Sequence, residues 1–178
     1  RSPSRGLGDV YKRQGMSFHG GLLGVAIALW GFAKKHSLKV FDLTDRIPTC
    51  VTFGLFFGRL ANFVNGELWG KPTDGTWGVV FPNTDFIPRH PSQLYEAALE
   101  GALMFLILHL VTLKFGIKRH LLPALFLILY GSFRFCIEFV RIGDPSPFAF
   151  LTMGQLLSLP MIVAGVGLWI YGLKTKVN

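Results

Sequence analysis

Apolar residues in this chain come in long runs, separated by shorter polar, charged or Gly/Pro-rich breaks. Five runs stand out: Gly15–Ala33, Ile47–Asn65, about Ser92–Gly116, Leu121–Val140 and Gly154–Leu173. Each approaches the ~20 residues a helix needs to cross a bilayer. The pattern predicts an all-α fold, a polytopic integral membrane bundle with five transmembrane helices. The break at about 66–91 is too polar to span and is rich in Gly and Pro, with short extended pieces such as Trp77–Phe81. It predicts a folded flap outside the membrane. Ser92 or His90 should cap the third helix, with Pro91 in its first turn and Glu96 near its positive end. Residues 1–14 (RSPSRGLGDVYKRQ) are polar and aperiodic and read as a non-native, disordered segment. The transmembrane domain is then 15–178.

Composition agrees with a membrane protein: 51% of the 178 residues are hydrophobic and 14% aromatic, with a mean hydropathy of +0.44. The net charge of +8 raises the question of nucleic acid. Its placement argues against that, because most cations cluster in the breaks and no nucleic-acid motif is present. Lys34, Lys35, Lys39 and Arg46 follow the first run; Lys114, Lys118 and Arg119 the third; Lys174 and Lys176 the fifth. The positive-inside rule makes those breaks cytoplasmic. The flap, His19 and the Arg141–Met153 loop then fall at the outer face. Cys50 and Cys136 lie within apolar runs without metal-ligand spacing and read as small buried hydrophobes.

Several polar residues interrupt the runs, and each costs free energy in hydrocarbon unless it is paired or faces a wet cavity. In the second run, Gly58, Asn62 and Asn65 share a helix face with Arg59 at its edge, and Glu67 follows. A small Gly58 would allow close approach of a neighbour or ligand. A guanidinium flanked by amides suits a phosphate, whose oxygens match its fork. In the fourth run, Tyr130, Arg134, Glu138 and Arg141 recur at helical spacing. Arg134 and Glu138 can pair at i,i+4, and Tyr130 can hydrogen-bond within the group. A self-neutralising structural network explains Glu138 and Arg141 as well as a functional role does. His19, beside Gly20 and Gly21, can act as a base near neutral pH. His90, Gln93 and Tyr95 are candidate lining residues. Gln155 and Ser158 should tie helices together. No metal constellation and no cofactor site is apparent.

Four stretches carry a family resemblance: SFHGG at Ser17–Gly21, GRLANFVNGELWG at Gly58–Gly70, RHPSQLYEA at Arg89–Ala97 and YGSFRFCIEFVR at Tyr130–Arg141. In order and spacing they resemble bacterial prolipoprotein diacylglyceryl transferases. The resemblance implies a cytoplasmic-membrane enzyme, working toward the outer leaflet without a cofactor. It would move the diacylglyceryl group of phosphatidylglycerol to the lipobox cysteine of a prolipoprotein, releasing glycerol phosphate. Carried over by motif, Arg59 and Arg134 are the essential arginines, His19 and Glu67 are further polar residues implicated, and Asn62 and Asn65 belong to the signature. The family also has transmembrane segments before SFHGG that this sequence lacks, which leaves its activity alone an open matter. Two alternatives stand on the residues themselves: a lipid or ion transporter with a polar intramembrane path, and a non-catalytic scaffold for lipoprotein export.

Overall fold

The computed structural model describes residues 18–82, 86–115, 121–143, 146–147 and 150–174; the side chains of 18–23, 41–42 and 115 also lie outside that description. The described chain is helical, with isolated bridges and no named strand. It divides into two units, one ending at Leu43 and one starting at Thr44.

The first unit contains α1 (Phe18–Lys35), which matches the first predicted run. Leu38 N–H closes its end by donating to the Ala33 carbonyl, and Lys34 lies over the Trp30 ring at 5.3 Å. Val25, Ile27, Trp30 and Phe32 are exposed, as lipid-facing residues are. A short α2 (Val40–Thr44) ends at the boundary.

The second unit begins with α3 (Ile47–Val64), which has proline in its first turn. Its end is a Schellman cap. Gly66 N–H donates to Phe63 and Glu67 N–H to Asn62, with Gly66 at φ +67°. Asn65 is the C-cap residue, still in right-handed helical conformation, and is exposed.

The third run is one continuous helix in three parts: α4 (Ser92–Glu96), a π-helical α5 (Ala97–Leu103) and α6 (Met104–Phe115). Its N-cap is Pro91, without a side-chain cap. Ser92 does not cap because its hydroxyl donates to the Leu68 carbonyl instead, at 3.0 Å. Next, α7 (Leu121–Ile137) stops earlier than expected: Glu138–Val140 form a turn in which Val140 and Arg141 N–H both return to Ile137. Finally, α8 (Met153–Lys174) opens with a capping box: Thr152 N–H donates to Gln155 Oε1 and Gln155 N–H to Thr152 Oγ1. Ser158 donates within its own helix, to Gly154. Both polar groups therefore serve their own backbone, contrary to the expected inter-helix ties.

Among the described residues, three helices are long and apolar enough to cross a membrane: Ile47–Val64, Ser92–Lys114 and Met153–Lys174. Leu121–Ile137 is apolar but shorter. The apolar core of this unit is Met104, Leu108 and Leu122, packed with Leu55, Val111, Leu125, Phe126, Leu129, Tyr130 and Phe133. It joins α3, α6 and α7. Cys50 and Cys136 are exposed, not buried as expected, since they sit on outward faces of α3 and α7. The molecule is an integral membrane helix bundle.

Candidate functional site

Arginines from two helices and the turn after one of them converge on carboxylates of the third run. Glu96 is the hub. Its Oε2 lies 2.8 Å from Arg59 Nε, and its Oε1 lies 2.8 Å from Arg134 Nη1 and 3.4 Å from Arg141 Nε. Arg134 Nη2 pairs with Glu138 at 3.4 Å, the i,i+4 pair the spacing predicts. Arg141 Nη1 is 3.9 Å from Glu138, and Arg59 Nη2 is 3.8 Å from Glu100.

Burial divides the group by sign. Glu96 and Glu100 are fully enclosed and Glu138 nearly so, while the side chains of Arg59, Arg134 and Arg141 keep 18%, 15% and 13% of their surface open. The carboxylates therefore anchor the guanidiniums from the protein side, and the open surface belongs to the cations.

Local sequence produces this packing. In the π-helical stretch, Ala97, Glu100 and Gly101 are all buried. Gly101 permits the close crossing with α3, because a Cβ there would lie 2.7 Å from Phe56 Cβ. π-Helical turns are rare and recur at functional sites. Glu138 occupies space that Gly154 leaves open; a Cβ at Gly154 would meet its carboxyl carbon at 2.6 Å. Gly58, expected to admit a neighbour, meets nothing from another segment within 4 Å of its would-be Cβ among the described residues, and close approach occurs at Gly101.

The root of the flap ties the cluster's supports together. Gly70 N–H donates to His90, His90 N–H to Lys71, and Lys71 N–H to Val140. Lys71 Nζ also donates to the Phe139 carbonyl at 2.8 Å, placing a cation at the end of α7 where the helix dipole favours one. Gln93 is fully buried and donates to the Glu67 carbonyl. It is a strut for the flap, not the lining residue expected.

The other sequence candidates divide. Glu67 is exposed, and among the described residues the carboxylates that pair with Arg59 are Glu96 and Glu100, so Glu67 does not orient Arg59. Asn62 is half-buried. Tyr130 packs by its ring, stacked on Phe126 at 5.8 Å; among the described residues its hydroxyl makes no hydrogen bond, contrary to expectation. Its ring packs against the apolar core at the border of the charged cluster. His90 pairs with the Tyr95 hydroxyl at 3.4 Å. His19 falls in the first turn of α1, and its side chain lies outside the described residues. The hub role of Glu96 and the presence of Glu100 escaped the sequence reading. Their signal was two carboxylates at i,i+4 inside an apolar run, enough with Glu138 to balance three arginines.

A bundle of membrane-length helices with arginines gathered on buried carboxylates is an integral membrane protein with a charged cluster among its helices. The model of the prolipoprotein diacylglyceryl transferase family matches residues 9–171. The chain is 49% identical over 174 residues to the phosphatidylglycerol–prolipoprotein diacylglyceryl transferase of Oleidesulfovibrio alaskensis, covering 94% of this chain and 65% of that protein. It is 50% identical over 178 residues to the like-named protein of Xanthomonas oryzae pv. oryzae, covering 86% and 60% respectively. With that of Pseudomonas paraeruginosa it shares 49% over 170 residues, covering 93% and 63%. The chain belongs to the prolipoprotein diacylglyceryl transferase family. It spans 60–65% of the length of these relatives.

Proposed function

We propose that the protein transfers the diacylglyceryl group of phosphatidylglycerol to the lipobox cysteine of a prolipoprotein, in the bacterial cytoplasmic membrane and toward its outer leaflet. The observation that carries this reading is the convergence of Arg59 and Arg134 on Glu96, with both guanidiniums partly open. Each retains donors: Nη1 of Arg59 and Nε of Arg134 enter none of the ion pairs above. Two such edges suit the phosphate of one headgroup.

The lipid's phosphate binds at these edges, with Asn62 at the side of the site. The cysteine sulfur attacks the glycerol carbon that carries the phosphate ester. A C–S bond forms, the C–O bond breaks, and glycerol phosphate leaves with the bonding electrons. Charge grows on the departing oxygen, so fixed guanidiniums stabilise the transition state more than the ground state. The thiol has an ordinary pKa of about 8.5 and must lose its proton to react. His19 is the first candidate to accept it and Glu67 the second, on their chemistry and their place in the family motifs. Arg141 and Glu138 hold Arg134 and Glu96 in position. The positive-inside count and the clustering of polar groups on one side support the outer-leaflet orientation over a polar path through the full membrane.

The test is incubation of the full-length protein with phosphatidylglycerol and a lipobox peptide, followed by mass spectrometry for a thioether-linked diacylglyceryl adduct. The adduct is expected with the cysteine peptide and not with its serine analogue. Its absence overturns the reading and favours a transporter or scaffold. His19→Gln should reduce turnover at neutral pH by roughly 100-fold, within the range for general bases; near-normal turnover removes His19 as an obligatory base.

A further inference from the structure

Glu100 has no task in that chemistry, yet its surroundings call for one. It is fully buried in the π-helical α5, and neither of its carboxylate oxygens has a hydrogen-bond partner among the described residues. Its contact with Arg59 Nη2 at 3.8 Å is an ion pair without hydrogen-bond geometry. A buried carboxylate so poorly satisfied destabilises a fold, and an apolar side chain of similar size would pack there at no such cost. Glu96 already holds Arg59 at 2.8 Å, so Glu100 is not needed to aim it.

We propose that Glu100 sets the affinity of the site for its anionic ligand, acting through Arg59. The proposal rests on the transferase reading for the identity of that ligand, the phosphate of phosphatidylglycerol. Among the described residues the cluster holds three guanidiniums and three carboxylates. With Glu100 beside Arg59, the arginine meets an incoming phosphate already partly neutralised. Without it, one positive charge is uncompensated, and substrate and phosphate-bearing product are both held more tightly. Turnover needs the product to leave, and uniformly tighter binding lowers KM without raising kcat. Glu100 is therefore a positioning residue of an electrostatic kind, not a catalytic one.

Glu100→Gln keeps the shape and removes the charge. With the full-length protein in neutral detergent micelles, equilibrium binding of dioleoylphosphatidylglycerol should tighten by roughly twofold to fivefold, the scale of a partly hydrated ion pair. Binding of uncharged dioleoylglycerol should not change. KM for phosphatidylglycerol should fall, kcat should not rise, and glycerol phosphate should inhibit more strongly. In an Arg59→Gln background the gain should vanish. Glu100→Met, neutral and unbranched, replaces the glutamine variant should that one fail to fold, with the same expectations. Unchanged or weaker phosphatidylglycerol binding by a folded variant, or an equal gain without Arg59, overturns the proposal. Tighter lipid binding in a protein that makes no thioether overturns the transferase reading and leaves the role of Glu100 standing. Wild-type transfer without the affinity gain overturns only the latter.

Discussion

Two neighbouring parts of the second unit are held together in opposite ways. Around Met104, Leu108 and Leu122, side chains pack without polar partners, and stability follows apolar contact and volume. Around Glu96, three segments are joined through charge, and the same helix that supplies Met104 and Leu108 supplies Glu96 and Glu100. The apolar part tolerates changes that conserve volume. The charged part does not, because removing one member strands the others in a low-dielectric setting. In the membrane this contrast sharpens, since lipid is as apolar as the core and offers little drive for helices to associate. The ion cluster and the flap root therefore carry much of the cohesion between these helices.

Substitutions separate the two modes. Glu96→Ala should have the largest effect: about 3–5 kcal/mol of stability lost, as when one partner of a buried pair is removed, and thioether transfer abolished. Thermal unfolding in detergent and the transfer assay measure the two; a stable, active variant breaks the hub role. Arg59→Lys keeps the charge and loses the fork, so transfer should fall by two decades or more, about 3 kcal/mol in the barrier, while unfolding moves little. Wild-type-like transfer by that variant refutes the phosphate clamp. Leu108→Ala should behave in the opposite way, costing about 2–5 kcal/mol of stability with transfer per folded molecule nearly unchanged. If it instead abolishes transfer in folded protein, the two regions are not separable. Gly66→Ala should be the mildest, losing about 1 kcal/mol because alanine resists the positive φ of the α3 cap; an undiminished unfolding temperature removes that cap as the reason for glycine there.

Much of the molecule was legible in the order of its residues. The long apolar runs required helices, because backbone groups in hydrocarbon must satisfy one another. Arg59, Arg134 and Glu138 announced a charged cluster because charge in such runs is costly unless paired. The second apolar run was read as ending at Asn65, and the structure ends α3 there in a Schellman cap. The partner of Arg59 was not legible: Glu67 stands eight residues away in sequence, but the cap turns it outward, and Glu96 on another helix takes the contact. Nor was the π-helical register, which depends on how closely Gly101 meets Phe56. Local sequence determines which segments are apolar and where charge interrupts them, because those costs are paid against solvent or lipid residue by residue. Which carboxylate meets which guanidinium was decided only when helices distant in sequence crossed, since an ion pair's energy depends on distance and burial that no single segment possesses.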